Sequence, residues 1–354
     1  MTMSTPPSAA LNHPSRVLVK EVNWLGDLVI SLPALKAVRR RFPGSHLAVL
    51  VKAELAGFFD GCDWIDEVIA YRRARGMRGL AMQSRIIAEL RARRFDLAIL
   101  FPNSFSSALW TALGSVRRRA GYATDARGLL LTDKARPDAA TLDGHQAGYW
   151  LGMVKQTVGA EGDPADCMLT AAPGNRERMV ATLAARRKSP GSRLIAIAPA
   201  AAYGPAKEWP AEQYAALIDL LAAEGNAECV MVGAPAERQR CERIAALAHS
   251  GAIVTAGETG IGELIAMLSL CDGFVGNDSG PMHLAGALGV LTVALFGSTN
   301  PRRTGPLGPR VNVIWRPPAC APCLARTCRF GHYECLTRIA PREVFDALLA
   351  GLPA

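Results

Sequence analysis

The residues with the clearest chemical use lie at positions 274–287, FVGNDSGPMHLAGA, where an apolar run stops at small and polar residues and a helical pattern begins. A strand–turn–helix junction leaves the first N–H groups of the helix without intrahelical partners, at the positive end of the helix dipole, and a phosphate binds well there. Ser279 would add a hydroxyl, and Gly280 would let a ligand approach the backbone. The alternative is that Asp278 or Ser279 only caps the helix. His283, taken alone, reads as a buried structural histidine. Residues 23–27, NWLGD, form a second junction of this kind. There Asp27 is either a capping carboxylate or a general base facing a cleft; the helix dipole would lower its basicity, and desolvation by Trp24 and Leu25 would raise it.

Three further stretches offer polar groups at helix starts. Residues 199–210, PAAAYGPAKEWP, fix Lys207 between Pro205 and Trp209, where a point cation can neutralise a phosphate. Residues 101–107, FPNSFSS, present Asn103, Ser104 and Ser106 as donors or as caps. Glu237, in the stretch 233–238, would reach a ribose hydroxyl or else stand solvated in a first helical turn. Apart from these, Cys320, Cys323, Cys328 and Cys335 form C-x2-C-x4-C-x6-C. Four thiolates suit zinc or an iron–sulfur cluster that would staple the loop, a structural metal with no catalytic part; free or paired thiols are the alternative.

The elements that must position these groups follow from the hydropathy pattern. Short β-branched runs at 17–22, 46–51, 68–71 and 97–101 alternate with helical spacing at 28–42 and 78–94. After polar, Pro/Gly-rich stretches at 161–166 and 186–192 the alternation resumes, with strands at 194–198, 229–232, 253–255, 273–275 and 291–296. Such alternation predicts α/β architecture: two Rossmann-like, doubly wound domains of mostly parallel strands, with ligands beyond the carboxyl ends of the strands. The expected divisions are a loose tail at 1–15, a first domain at 16–185, a second at 186–340 and a last helical segment at 341–354.

Half of the 354 residues are apolar, enough for two cores, and no run is long enough to span a bilayer. Nine cysteines without a secretory signal point to a reducing compartment. The net charge of +9 sits mostly in the first half: residues 1–185 carry 24 Lys/Arg against 17 Asp/Glu, or +7, leaving 16 against 14, or +2, for the rest. That asymmetry suggests an anionic partner such as a phosphorylated lipid surface or an acidic glycan. Few aromatics and no nucleic-acid module argue against nucleic acid. The absence of G-x-G-x-x-G after the first strand, and of a P-loop anywhere, weakens an NAD dehydrogenase or an ATPase and leaves a nucleotide-sugar enzyme.

WLGD (24–27), PNSFSSAL (102–109), AYGPAKEWP (202–210) and NDSGPMHLAGAL (277–288), in this order, resemble the lipopolysaccharide heptosyltransferases of glycosyltransferase family 9, in particular their ADP-heptose–LPS heptosyltransferase II branch. The resemblance implies a GT-B fold whose first half binds the acceptor and whose second half binds ADP-heptose, with the last helix packing back toward the N-terminal domain. It implies inverting transfer of L-glycero-D-manno-heptose to the heptose of the lipopolysaccharide inner core, with no cofactor or metal required for catalysis. The enzyme would be cytoplasmic, peripheral at the inner face of the cytoplasmic membrane, and drawn there by its anionic core acceptor. Asp27 matches the base, and Lys207 the lysine that stabilises the departing diphosphate. Asp278, Ser279, Gly280 and His283 match the donor signature, Glu237 matches a residue near adenosine, and Asn103, Ser104, Arg119 and Arg127 fall on the acceptor side. Ala200, Ala202 and Glu208 depart from the usual loop and bear on the exact heptose or nucleotide. The other readings are a related transferase with another acceptor or sugar, an ADP-sugar-binding protein without turnover and, more remotely, a nucleotide-sugar epimerase.

Overall fold

The computed structural model describes residues 13–352, so most of the expected tail lies outside the described residues. The first half contains β1 (Arg16–Lys20), α1 (Leu25–Arg41), β2 (His46–Lys52), β3 (Glu67–Tyr71), α2 (Gly76–Arg93), β4 (Leu97–Leu100), α3 (Phe105–Leu113), β5 (Arg118–Tyr122), β6 (Asp133–Ala135), α4 (Ala139–Asp143) and α5 (Gln146–Val158). The second runs through α6 (Pro173–Ala184), β7 (Arg193–Ala198), α7 (Ala211–Glu224), β8 (Ala227–Met231), α8 (Arg238–Leu247), β9 (Ile253–Val254), α9 (Ile261–Ser269), β10 (Gly273–Asn277), α10 (Gly280–Ala287), β11 (Leu291–Phe296), α11 (Pro301–Thr304), β12 (Val311–Trp315), α12 (Glu334–Thr337) and α13 (Pro341–Leu349).

Both sheets are parallel and share one strand order. The first is β3-β2-β1-β4-β5-β6 and the second β9-β8-β7-β10-β11-β12, the doubly wound order in which the chain reverses direction beside the first strand of each sheet. Central strands such as β4 (LAIL) and β11 (LTVALF) are buried throughout, because helices cover both faces; a continuous apolar run satisfies this where an alternating one would not. Each fully buried Leu, Ile or Val contributes roughly 1.5–3 kcal/mol.

The two halves are joined by an apolar seam rather than a bare linker. Leu28, Val29 and Leu32 of α1 belong to the same core cluster as Met282, Leu284 and Ala285 of α10. Two expected divisions shift as a result. The chain crosses over before residue 185: the Leu169 N–H already donates to the Ala287 carbonyl at 2.8 Å, and α6 lies on α9 with Met179 and Leu183 buried. The last helix does not pack back toward the N-terminal domain. Its Val344, Phe345 and Leu348 face the second core, against α7, β10 and β11, because that stripe fits the open face beside α7.

Candidate functional site

A cleft of about 610 Å³ lies between the two sheets and is lined by the loops that follow β1, β2, β7, β8, β9, β10, β11 and β12, all at carboxyl ends of strands. Asp27, Lys207, Glu237, Asp278, Ser279, Gly280 and His283 all line it. A larger cavity of about 730 Å³ sits at the opposite end of the second sheet, bordered by Arg186, Lys188, Asn226 and Ile253, away from every one of those groups.

The centre is an ion pair. Lys207 Nζ lies 2.6 Å from Asp278 Oδ2, with the lysine side chain 13% and the aspartate 4% exposed, and Thr299 Oγ1 donates to the same oxygen at 2.6 Å. The neighbouring Asn277 fixes the loop that brings the lysine. Its Oδ1 accepts from the Trp209 N–H (3.0 Å) and the Tyr214 hydroxyl (2.9 Å), and its Nδ2 donates to the Pro199 carbonyl (2.7 Å). The N-D pair of the NDSG stretch thus has two tasks: Asn277 clamps the loop from β7, and Asp278 holds its cation. Glu208 points elsewhere, accepting from the Ala201 N–H and pairing with Arg240.

Neither Asp278 nor Ser279 caps α10. Ser279 occupies the cap position without a side-chain hydrogen bond, and its buried Oγ has no partner among the described residues. The start of α10, with Ser279, Gly280 and Pro281, therefore lines the cleft without a side-chain cap. His283 is buried, its Nδ1 also lacks a partner, and burial pushes its pKa down to about 4, so the ring is neutral.

Asp27 is not a cap either. The helix starts three residues earlier than the hydropathy pattern suggests, with Trp24 at the cap position and Asp27 in the first turn. Burial raises the Asp27 carboxyl to about 6; the Lys207 charge opposes this and the Asp278 charge adds to it. Desolvation therefore outweighs the Lys207 charge, and Asp27 becomes a better base than an ordinary aspartate. Glycines make this approach of the two halves feasible. A Cβ on Gly26 would lie 2.9 Å from His283 Cδ2, and one on Gly280 would lie 2.8 Å from Leu25 Cδ2. The smallness of Gly280 admits Leu25 of the other half, a role different from the expected ligand approach.

Glu237 lines the cleft half-buried, its carboxyl raised by burial, with Oε2 accepting from the Ala234 N–H at 2.7 Å. The acceptor-side group is not gathered there. Asn103 donates to the Tyr149 hydroxyl (2.7 Å) and accepts from Arg127 (3.0 Å). Arg127 is fully buried, also donating to the Tyr122 carbonyl at 2.8 Å, and so supports the loop from beneath. Ser104 Oγ lies 2.6 Å from Ser107 Oγ. Arg119 stands near the amino end of β5, tied to the carbonyls of Val116 and Leu130, on the side of the sheet away from the cleft.

No four-thiolate metal site is found among the described residues. Among the described residues no three His, Cys, Asp or Glu side chains converge as metal ligands, and the four cysteines are free thiols. The turn instead points its N–H groups, first Tyr333 and then Phe330, Gly331 and His332, at Cys328, which lowers that thiol's pKa. Cys335 on α12 is pushed up to about 11 by burial and by the charges of Cys323, Cys328 and Cys320.

Residues 83–334 match glycosyltransferase family 9 (heptosyltransferase). The chain belongs to this family. It is therefore a glycosyltransferase. It is 28% identical to lipopolysaccharide heptosyltransferase 2 of Salmonella typhimurium over 350 residues, covering 94% of this chain and 97% of the relative. Among solved structures, Escherichia coli ADP-heptose LPS heptosyltransferase II superposes with a TM-score of 0.80 at 24% identity, over 95% of this chain and 98% of that one. A family 9 glycosyltransferase from Veillonella parvula does so at 0.85 and 22%, with the same coverage. These likenesses carry the GT-B fold of two facing doubly wound domains. Membership gives the cleft a class of chemistry, group transfer from an activated sugar, to which its polar groups can be fitted. Tyr203, Thr299 and Arg326 also line the family 9 cleft and were not singled out from sequence. Tyr203 lay within a recognised stretch, whereas Arg326 was hidden among the cysteines.

Proposed function

We propose that the protein transfers L-glycero-D-manno-heptose from ADP-heptose to the heptose of a lipopolysaccharide inner core, with inversion. The observation that carries this reading is the meeting, in one cleft, of a buried carboxylate from the first half with a lysine and a bare helix N-terminus from the second. Asp27 takes the proton of the acceptor hydroxyl as its oxygen attacks the anomeric carbon. The bond from that carbon to the diphosphate breaks on the opposite face, and ADP leaves with the electron pair. Negative charge gathers on the β-phosphate, where Lys207, the Ser279 hydroxyl and the first N–H groups of α10 are preorganised to receive it. This stabilisation calls on no metal. The neutral His283 shapes the cleft against Gly26, and Glu237 stands where a nucleoside hydroxyl would reach the β8 loop.

The acceptor side is supported by charge. Arg72, Arg73, Arg75 and Arg78 follow the edge strand β3 at its cleft-side end. All four are exposed, none forms an ion pair among the described residues, and no acidic residue occurs between Glu67 and Glu89. Met77 and Leu80, 87% and 66% exposed, stand among them. Such a rim suits a phosphorylated, lipid-anchored acceptor at the cytoplasmic face of a membrane. No helix of the described residues is long and apolar enough to cross one. Asn103 and Ser104 lie at the same sheet edge, after β4.

The test is transfer itself: purified protein, ADP-L-glycero-β-D-manno-heptose and a heptose-bearing Kdo–lipid A acceptor, with product mass as the readout. A gain of one heptose that disappears in Asp27→Ala supports the reading. Donor binding without transfer to any core acceptor would leave a binding protein, and no donor binding would remove the donor assignment.

A further inference from the structure

Arg326 reaches the cleft from the loop between β12 and α12, the segment that carries three of the four cysteines. Backbone contacts fix that loop onto the Lys207 loop. The Ala206 N–H donates to the Arg326 carbonyl (2.9 Å), the Tyr203 hydroxyl to the Leu324 carbonyl (2.6 Å), the Leu324 N–H to the Ser298 carbonyl (2.9 Å) and Ser298 Oγ to the Ala325 carbonyl (3.1 Å). The fit leaves no slack: Gly204, with φ +144°, has room for no Cβ, since one would lie 2.5 Å from the Arg326 carbonyl oxygen. The backbone under Arg326 is therefore anchored, although the side chain is exposed.

The Tyr203 ring is shared by two cations. Lys207 Nζ lies 4.9 Å and the Arg326 guanidinium 5.0 Å from its centroid, both within cation–π range. The two differ in what balances them. Lys207 has Asp278 at 2.6 Å, so from a distance the pair presents a dipole more than a charge. Arg326 forms no ion pair among the described residues. A departing diphosphate needs positive charge that is not already neutralised, and a guanidinium offers two parallel donors to two oxygens.

We propose that Arg326 contacts the diphosphate of the nucleotide sugar and stabilises it as it leaves, with Tyr203 holding Arg326 and Lys207 along one wall of the cleft. This rests on the donor assignment above and adds a second cation to it. The test is calorimetric binding of ADP, adenosine and inorganic pyrophosphate to wild type, Arg326→Gln and Arg326→Lys, with melting temperatures as a check on folding.

The expected result is that Arg326→Gln weakens ADP and pyrophosphate by about 10-fold or more, leaves adenosine unchanged and lowers kcat, while Arg326→Lys recovers part of the loss. Unchanged ADP affinity in Arg326→Gln overturns the inference alone. An equal loss for adenosine also overturns it, since the residue would then shape the pocket without touching phosphate. A wild type that binds pyrophosphate but neither ADP nor adenosine keeps the phosphate contact and removes the adenine-nucleotide reading; one that binds none of the three removes both.

Discussion

At the carboxyl edge of the second sheet, Lys207 is only 13% exposed, paired with Asp278 and held by a loop that Asn277 clamps. At the same edge of the first sheet, Arg72, Arg73, Arg75 and Arg78 are exposed and unpaired, on a loop and helix start with no acidic neighbour in sequence. The two sheets have the same strand order, so the contrast owes nothing to topology. It lies in dielectric and freedom. A preorganised charge in a dry site acts strongly and over a short range on one small ligand, whereas solvated charges act weakly, collectively and subject to salt. The second edge is built like a site for a compact phosphate group, and the first like a landing surface for a large anion.

The sharpest break of the comparison is at the paired cation. Lys207→Ala removes charge from the cleft and leaves Asp278 buried without its partner. Transfer should fall about 10²–10³-fold in kcat, the usual loss of one preorganised electrostatic group, and the melting temperature should fall as well. A variant that kept more than a tenth of wild-type kcat would mean that the leaving group is stabilised elsewhere. Gly26→Ala tests the seam between the two edges. The added methyl must displace the buried His283 ring, which should cost about 1–3 kcal/mol of stability and separate Asp27 from Lys207. Thermal unfolding of the variant beside wild type checks this, and an unchanged melting temperature would show that the seam gives way easily.

The rim should respond differently. With Arg72, Arg73, Arg75 and Arg78 all changed to Gln, we expect KM for a phosphorylated acceptor to rise about 10-fold at low salt and to approach wild type as added salt screens the rim, with KM for the donor unchanged. Equal losses at low and high salt would argue against a long-range role and place these residues in direct contact with the acceptor.

How much of this was legible beforehand follows the same divide. The strands of both sheets could be read from continuous apolar runs, since burial on both faces leaves no other pattern. Asp27, Lys207 and Asp278 could be named because each sits beside a strand end in a stretch whose small and polar residues interrupt an apolar run. Their coupling could not, because an ion pair between residues 207 and 278 depends on how β7 and β10 pair, which no local pattern encodes. The start of α1 differs because Leu25 and Gly26 read as turn, whereas they form its first turn, with Gly26 close against His283 of the other half. Arg119 was assigned to the acceptor side through the family resemblance, which does not report that its place near the amino end of β5 ties it to backbone carbonyls. The cysteine spacing suggested a metal, whereas the loop is organised by backbone contacts that present Arg326.

The smallest effect separates the two influences on Asp27. Burial raises its carboxyl to about 6 while the Lys207 charge pulls the other way. A carboxyl raised above its unfolded value of about 3.8 binds more protons folded than unfolded between those limits. Its contribution to stability is then complete at pH 3.8 and below and declines as pH rises through about 6, so at pH 8 the ionised carboxylate costs stability. Asp27→Asn removes that cost. It should unfold at a higher temperature than wild type at pH 8, by the equivalent of about 1 kcal/mol, with the gain shrinking between pH 6 and pH 4. In wild type, kcat/KM for transfer should fall on the acid side with an apparent pKa of about 6. A variant no more stable than wild type at pH 8 would mean that Lys207 holds the carboxylate more firmly than burial opposes it. The base would then be paired in its resting state, and the contrast between a dry, paired edge and a wet, unpaired one would extend across the cleft to the first half's own strand end.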